Sequence, residues 1–226
     1  MANYLRNIGV SDEKIVVMPN GINEERFCAP TTKPPQLPDL SHKTVIGFVG
    51  FARPWHGLDR VLNVMHQMND NTLFLLIIGD GPAVKTLQTR AAELGLSEQI
   101  FISGIVQRNE MPNWVAQIQI ALQPDVVAYA SPLKMLEYLA LGKAIIAPDT
   151  ANIRELLCHN QNALLFNPEQ TPSFNECLLA MLSSNSMRKQ LGEQAAKTIR
   201  DKNLTWKDNA QRIVVLFQQL LSKENS

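Results

Sequence analysis

The sequence predicts an α/β fold in which helices cover both faces of a parallel sheet, the doubly wound or Rossmann-like class. Two observations lead to this prediction. Continuous apolar runs such as Leu73–Ile78 are typical of strands that are buried on both faces of a sheet. These runs alternate with stretches in which apolar residues recur at helical spacing, and strands that alternate with helices form parallel sheets.

The predicted strands and helices follow one another from residue 44 onward. Each strand is an apolar run bounded by turn residues, and each helix has apolar residues three and four positions apart. In chain order they are the strand Thr44–Val49, the helix Leu58–Met68, the strand Leu73–Ile78, a helix from Pro82 to about Leu94, the strand Ile100–Ile102, the helix Glu110–Gln117, the strand Ile118–Leu122, the helix Ser131–Leu141, the strand Ala144–Ala147, a helical turn at Ile153–Leu157 and the strand Ala163–Phe166. Ligands of such sheets bind at the carboxyl ends of the strands.

The two ends of the chain fall outside this alternation. Residues 1–40 contain a short helix, a predicted strand at Ile15–Met18 and a proline-rich linker, and we interpret them as a segment that follows a preceding domain. Residues 41–185 are predicted to form the Rossmann-like domain. Residues 186–226 are predicted to form two further helices that pack toward the preceding domain.

The second of these C-terminal helices carries an apolar stripe. Its members recur at helical spacing and are Ile213, Val214, Phe217 and Leu220. We expect the stripe to pack against a domain outside the chain, and the chain to self-associate through this helix where that domain is missing. The alternative is that the helix packs on its own domain.

Composition limits the classes of partner. The chain has 226 residues, of which 45% are hydrophobic and 19% charged, and its formal net charge is zero. It can therefore bury a full core, and it lacks the basic surface that attracts nucleic acids or anionic membranes. Its three cysteines have no metal-ligand spacing, and no apolar run is long enough to span a bilayer. We expect a cytoplasmic protein with no metal site, no nucleic-acid partner and no transmembrane segment.

The run from Ser131 to Gly142 predicts an anion site at the start of a helix. Ser131 suits the N-cap and Pro132 the first turn, where free amides and the helix dipole favour a bound anion. Lys134 and Glu137 lie about one turn apart and can face the same side. A cation followed by a carboxylate can hold a phosphate and then the hydroxyl pair of a sugar. The alternative is an amphipathic helix with a surface ion pair.

The loop after the first predicted strand also has features of a phosphate site. Gly50 permits a tight turn or a close approach of the backbone, and Arg53 and His56 are positioned to reach a diphosphate. The loop is not a G-x-G-x-x-G motif, which disfavours an enzyme that uses a nicotinamide or flavin cofactor. The alternative is a turn that carries a solvated arginine.

Together these segments resemble the C-terminal, nucleotide-sugar-binding half of the retaining GT-B glycosyltransferases of the family 4, or group 1, type. The resemblance extends from Glu13 to Pro168, and its segments occur in the order that the family has. They are Lys14–Asn23, Gly47–Gly57, Ile77–Pro82, Ile100–Val106 and Ser131–Ala147, followed by Glu155.

The resemblance implies a role for each matched position. Glu137 would bind the ribose hydroxyls of the donor nucleotide, and the backbone amides of Leu133 and Lys134 would hold its diphosphate. The backbone around Gly104 and Ile105 would meet the edge of the base. Basic residues would neutralise the departing diphosphate. The candidate catalytic residues are Arg53, Lys134 and Glu137. The candidate substrate-binding residues are Gly50, His56, Gly104, Ile105, Ser131, Leu133, Lys134 and Glu137.

The sequence departs from the family pattern at three positions. Phe51 stands where the family has an arginine, and His56 stands where it has a lysine, so Arg53 and Lys134 are the expected substitutes for the lost charge. Tyr129 stands eight positions before Glu137, where the family has a glutamate that contacts the sugar. Enzymes of this family usually need no bound metal, and we expect no cofactor.

The resemblance covers one half of a two-domain enzyme. It implies that the chain binds a nucleoside-diphosphate sugar, and that a preceding acceptor-binding domain is missing from it. The whole protein would transfer the sugar with retention of configuration, while the chain alone would be inactive. The alternatives are a non-catalytic nucleotide-sugar-binding module and an epimerase of the same fold, although no further acid/base set that an epimerase needs is evident.

Overall fold

The computed structural model describes residues 2–28, 32–127, 131 and 133–224. Its centre is a six-stranded sheet in which all neighbouring strands are parallel, with the order β3-β2-β1-β4-β5-β6. The strands are β1 (Thr44–Val49), β2 (Leu73–Ile78), β3 (Ile100–Ile102), β4 (Ile120–Leu122), β5 (Ala144–Pro148) and β6 (Leu164–Phe166). The predicted fold class is confirmed.

Ten α-helices lie within the described ranges. They are α1 (Ala2–Asn7), α2 (Glu24–Cys28), α3 (Asp59–Met68), α4 (Val84–Glu93), α5 (Met111–Ala116), α6 (Lys134–Ala140), α7 (Ala151–Arg154), α8 (Thr171–Ser183), α9 (Asn185–Asp201) and α10 (Trp206–Glu224). Short 3-10 helices occur at Asp12–Lys14, Pro54–His56 and Ser97–Gln99. Within these ranges, no helix combines the length and the apolar character that crossing a bilayer requires.

The order of the strands places a crevice between β1 and β4. Chain order runs outward from β1 to β3 on one side, and from β4 to β6 on the other. The connections that leave the carboxyl ends of β1 and β4 therefore diverge to opposite sides of the sheet, and ligands of open α/β sheets bind at such a switch point. Gly50 follows β1 directly, and the chain after β4 leads to α6.

Two hydrophobic cores cover the two faces of the sheet. On one face α3, α4 and α8 pack on the strands, and on the other α2, α5, α6 and α9 do so. Fully buried members of the first core include Leu62, Met65, Leu75 and Phe174, and members of the second include Val45, Leu76, Val115 and Tyr138. Both faces of the sheet are thus closed to water, which leaves its carboxyl edge as the place for a ligand.

Two predictions of local structure are wrong. Ile15–Met18 is not a strand, because no neighbouring strand pairs with it in the described part of the chain, and Val16 and Val17 are exposed. The nearby pairing is a single bridge between Ile22 and Thr205. The helix expected from Ser131 begins at Lys134 instead.

The segments at the two ends pack differently on the domain. Leu37 and Leu40, in the proline-rich segment, are buried in the same core as Phe27. In α9 the side chains of Leu191, Ala195 and Ile199 are buried, and the helix packs against α6 and β5. Much of α10 is exposed, including the predicted stripe of Ile213, Val214, Phe217 and Leu220. The division of the chain at residues 40 and 185 stays a prediction.

Candidate functional site

Two glycines bring the ends of β1 and β2 into close contact. Gly50 and Gly79 have φ angles of +131° and +137°, which residues with a side chain rarely adopt. A Cβ atom on Gly79 would lie 2.2 Å from the carbonyl oxygen of Gly50. The Gly50 amide donates a hydrogen bond to the carbonyl oxygen of Ile78 at 2.9 Å. The result is a tight backbone edge at which neither glycine carries a side chain.

Lys134 reaches this edge from the first residue of α6. Its Nζ lies 4.0 Å from the centroid of the Phe48 ring, and 3.3 Å from where a Cβ atom on Gly50 would be. No residue that the structure describes accepts a hydrogen bond from this Nζ or forms an ion pair with it. Burial lowers the pKa of Lys134 to about 7, against the opposing effect of the Glu137 carboxylate. Within the described ranges, the amine therefore contacts the Phe48 ring but has no polar partner.

His56 is a buried residue of the loop that follows β1. Only 5% of it is exposed, and its ring packs against those of Phe48 and Trp55. Its Nδ1 accepts a hydrogen bond from the Arg53 amide at 3.0 Å. Burial, with Lys134 and Arg53 nearby, lowers the pKa of His56 to about 4. The ring is thus neutral at pH 7, and it shapes the loop through this hydrogen bond.

Arg53 lies at the surface of the same loop. Its Cζ is 5.1 Å from the centroid of the Phe51 ring, where a guanidinium gains a cation–π contact. Among the described residues no carboxylate pairs with it. The loop therefore offers an exposed cation, and both Arg53 and the partly buried Lys134 act on His56.

Glu137 lies one turn further along α6 in a different environment. It lines a pocket of about 280 Å³ together with Arg26, Phe27, Arg108 and Trp206, among other residues. Burial raises the pKa of Glu137, while the positive charges of Arg108, Lys134 and Arg26 lower it. The carboxylate is partly buried, and two arginines from outside its own helix favour its charged form.

Two further arginines, Arg26 and Arg108, line the Glu137 pocket, and no pattern in the sequence singled them out. They lie beside segments that carry the family resemblance, one in α2 and one shortly after β3. That proximity is a weak signal, because an arginine in such a position is by itself indistinguishable from a solvated one. Their convergence on Glu137 depends on tertiary packing, in which α2 lies against α6.

A buried tyrosine holds α6 at the sheet edge. The hydroxyl of Tyr138 accepts a hydrogen bond from the Val49 amide at 2.9 Å and lies 3.4 Å from the carbonyl oxygen of Leu122. Val49 and Leu122 are the last residues of β1 and β4. Tyr138 therefore ties the helix to both strands that border the switch point.

Gly104 and Ile105 lie at the same edge, beyond β2. Gly104 forms an antiparallel bridge with Gly79 and has a φ angle of +66°. The hydroxyl of Ser103 accepts a hydrogen bond from the Gly79 amide at 3.0 Å, which fixes this turn. Ile105 is 89% exposed. The predicted base-binding backbone is thus beside the edge and open to solvent.

Ser131 does not cap α6 as predicted, and Leu133 takes the N-cap position instead. The Ser131 hydroxyl accepts a hydrogen bond from Asn20 Nδ2 at 3.0 Å, and Leu133 occupies the N-cap position without a side-chain cap bond. The expected cap is therefore wrong, and Ser131 links the N-terminal segment to the site instead. Leu133 is exposed beside the Glu137 pocket. Pro132 and Tyr129 lie outside the described residues.

The structure brings most of the predicted residues to one edge. Gly50 and Lys134 lie together at the end of β1, with Arg53 in the loop that follows. Glu137 lies one turn from Lys134 along α6, and Gly104 and Ile105 follow β3, where Gly104 pairs with Gly79. Lys134 and Glu137 do not form the surface ion pair of the alternative interpretation. In the described part of the chain no three histidine, cysteine, aspartate or glutamate side chains are grouped so that they could hold a metal ion.

Comparisons with known proteins match this chain to glycosyltransferases. Residues 31–198 match the family described as "Glycosyl transferases group 1". An uncharacterised glycosyltransferase of Methanocaldococcus jannaschii is 20% identical over 223 residues, which are 97% of this chain and 56% of that protein. A phosphatidyl-myo-inositol mannosyltransferase of Mycobacterium leprae is 24% identical over 210 residues, covering 90% of this chain and 53% of that protein. The chain thus spans about half the length of these relatives.

Solved structures share the fold. HepE from Anabaena, in complex with UDP, has a TM-score of 0.78 and 18% identity, covering 96% of this chain and 61% of that one. The C-terminal domain of LpcC, a glycosyl transferase group 1 family protein from Francisella tularensis, has a TM-score of 0.68 and 20% identity. That match covers 81% of this chain and 98% of the LpcC domain.

Proposed function

Since the chain belongs to the group 1 family of glycosyl transferases, we propose that it is the donor-binding half of an enzyme that moves a sugar from a nucleoside diphosphate to an acceptor with retention of configuration. The observation that carries the proposal is the Lys134 amine, which has no polar partner among the described residues and lies beside the Gly50 backbone, one helical turn from the Glu137 pocket. One end of this edge suits a diphosphate and the other a nucleoside.

The diphosphate lies against Gly50 in this proposal. Gly50 itself has no side chain, so the phosphate oxygens approach its backbone, and Arg53 and Lys134, whose Nζ lies beside Gly50, supply positive charge. The family resemblance adds the backbone amides of Leu133 and Lys134. As the bond to the sugar breaks, negative charge grows on the departing diphosphate. Cations that are already in place stabilise that charge more in the transition state than in the ground state.

The nucleoside lies toward Glu137 and Gly104. An ionised carboxylate accepts hydrogen bonds from both hydroxyls of a ribose, and Arg26 and Arg108 favour the ionised form of Glu137. The backbone of Gly104 and Ile105 is open to meet the edge of a base. HepE, with the same fold, was solved with UDP, which makes uridine the first base to test.

Isothermal titration of the chain with UDP, GDP and ADP tests the donor site. We expect at least one of them to bind weakly, and Lys134→Ala to weaken that binding. Lys189→Ala is the matched control, because it removes one exposed cation from α9, three residues before Gly192, which packs on Gly142 beyond the far end of α6. If none of the three nucleotides binds at millimolar concentration, the donor-site proposal fails.

Transfer itself is expected to need a second, acceptor-binding domain. Closing a cleft between two domains brings the reactants together and excludes water. The chain alone is therefore expected to transfer no sugar, and turnover without a partner would contradict its role as half of an enzyme. With a complementing domain, the anomeric configuration of the product, observed by NMR, decides between retention and inversion.

A second candidate is a nucleotide-sugar-binding module without catalysis. The observation that favours it is His56, which is buried and neutral where the family resemblance places a lysine. Such a module would bind the sugar nucleotide and leave it intact even when the complementing domain is supplied. Transfer under those conditions excludes this candidate.

A further inference from the structure

Lys134 differs from an ordinary phosphate-binding lysine because its site favours the neutral amine when no ligand is present. Its Nζ lies over the Phe48 ring at 4.0 Å, beside Gly50, and has neither a hydrogen-bond acceptor nor an ion pair among the described residues. Phe48 itself is fully buried. A ring face attracts a cation but replaces only part of the hydration that an ammonium group loses on burial.

The charged groups around Lys134 are few. On its own helix Glu137 favours the protonated amine. From the loop after β1, His56 faces Lys134, and Arg53 lies beyond His56. His56 is neutral near pH 7, so it offers no charge to the amine, and Arg53 is a like charge. Burial therefore outweighs the one favourable carboxylate, and the pKa of Lys134 is about 7.

From this geometry we infer that the Lys134 amine takes up a proton from solvent as the diphosphate of the donor nucleotide enters, so that ligand binding and protonation are one coupled event. The inference rests on the proposed donor site. A diphosphate beside Gly50 would supply the anionic acceptor that the amine lacks, and an anion within hydrogen-bond distance favours the charged form of a lysine. The proton moves from buffer to Nζ, and no covalent bond is made or broken.

The number of protons taken up on binding increases with pH around the pKa of Lys134. Well below pH 7 the free amine is already protonated, so binding takes up almost no proton. Near pH 8 about nine-tenths of it is neutral, so binding takes up about 0.9 proton per site, and affinity falls up to about tenfold for each further pH unit.

Calorimetry in buffers of different ionisation enthalpy measures the proton uptake directly. The probes are UDP-glucose, GDP-mannose and ADP-glucose, of which the tightest is used. Both phosphates of a sugar nucleotide are esterified, so the ligand itself gains and loses no proton between about pH 6 and pH 9. We expect the observed heat to vary with the buffer near pH 8 by about 0.9 proton, and to be nearly independent of the buffer near pH 6.

Three variants identify the group that takes up the proton. Lys134→Arg keeps a permanent charge, so it should bind with no uptake near pH 8, and Lys134→Met should lose at least tenfold in affinity together with any uptake. Lys143→Arg is the matched control. Lys143 is also buried, with a pKa lowered to about 8, but its Nζ donates to the Ala116 carbonyl oxygen beyond the far end of α6. That variant should show the uptake of the unmodified chain.

The outcomes separate this inference from the function it rests on. Binding near pH 8 with heats that do not depend on the buffer would overturn the coupling while the donor site stands. Uptake that persists in Lys134→Met would assign the proton to another group and would also overturn it. If no sugar nucleotide binds, the donor site fails, and the inference fails with it.

Discussion

The two charged residues of α6 lie three positions apart and meet different surroundings. Lys134 faces an aromatic ring and a glycine edge, and among the described residues no opposite charge forms an ion pair with it. Burial raises the pKa of Glu137, and Arg26 and Arg108 in its pocket oppose that shift. The comparison shows that helical spacing brings two groups to one edge but does not fix their charge. The neighbouring elements do that, and in the proposed donor site they separate a phosphate side from a nucleoside side.

The largest effect on stability is expected from a substitution at Gly79, where the backbone alone forms the edge beside Gly50. Gly79→Ala would place a Cβ atom 2.2 Å from the Gly50 carbonyl oxygen at a φ of +137°. We expect a loss of about 2–5 kcal/mol in the free energy of unfolding, measured by urea denaturation. Gly95→Ala is the control, because Gly95 also has positive φ, +72°, but has open space around it. It should lose about 1–2 kcal/mol, from backbone strain alone. Equal losses would show that the contact between Gly50 and Gly79 is not tight.

The next largest effect is the difference in ligand affinity between variants that truncate Lys134 and Glu137 in α6. Lys134→Ala should weaken the binding of both a nucleoside diphosphate and pyrophosphate. Glu137→Ala should weaken only the nucleotide. Each charged hydrogen bond contributes about 1.5–3 kcal/mol, or about 10- to 150-fold in affinity, measured by titration calorimetry. If both variants leave nucleotide binding within about twofold, neither side chain belongs to the site.

A smaller effect is expected on the pH dependence of stability in the free chain. The pKa of Lys134 is lower in the folded chain than in the unfolded chain, so between pH 7 and pH 10 the unfolded chain binds more protons and stability rises with pH. Lys134→Met removes the Lys134 part of this rise, about 1–2 kcal/mol between pH 7 and pH 9 in urea unfolding at each pH, and leaves the part due to Lys143, whose pKa is lowered to about 8.

Glu137 should respond with the opposite sign. Burial raises its pKa, so the folded chain binds more protons above pH 4.5, and stability falls as pH rises through that range. Glu137→Gln removes that fall and leaves the rise above pH 7 in place. If the two variants had the same pH profile, the division of the site into two sides would be wrong.

The fold was predictable because its signals are local. Strands such as Leu73–Ile78 are continuous apolar runs with turn residues after them, and their alternation with helices fixes the class. The helix α8 was missed because Cys177–Leu182 is almost uniformly apolar, and such a run has no periodicity that separates helix from strand. The strand predicted at Ile15–Met18 did not form, because an apolar run forms a strand only where another strand pairs with it.

The residues of the candidate site could be predicted from the sequence, but the charge states of their side chains could be predicted less well. Gly50, Lys134, Glu137 and Gly104 were found from turn chemistry and family resemblance, and the structure gathers them at one edge. The neutrality of His56 depends on its burial against Phe48 and Trp55, which no local pattern in a loop reveals. Arg26 and Arg108 are distant from Glu137 in sequence, and only tertiary packing brings them to it.

Amide chemical shifts of the isotope-labelled chain test the central claim most directly, because they locate each half of the ligand. We predict that pyrophosphate perturbs the amides of Gly50 and Lys134, that the matching nucleoside perturbs Gly104 and Ile105, and that the nucleoside diphosphate perturbs both sets. Glu137→Gln should remove the nucleoside response and keep the pyrophosphate response. Shifts that gather instead in the separate pocket lined by Asn20, Glu155 and Lys202 would contradict the account.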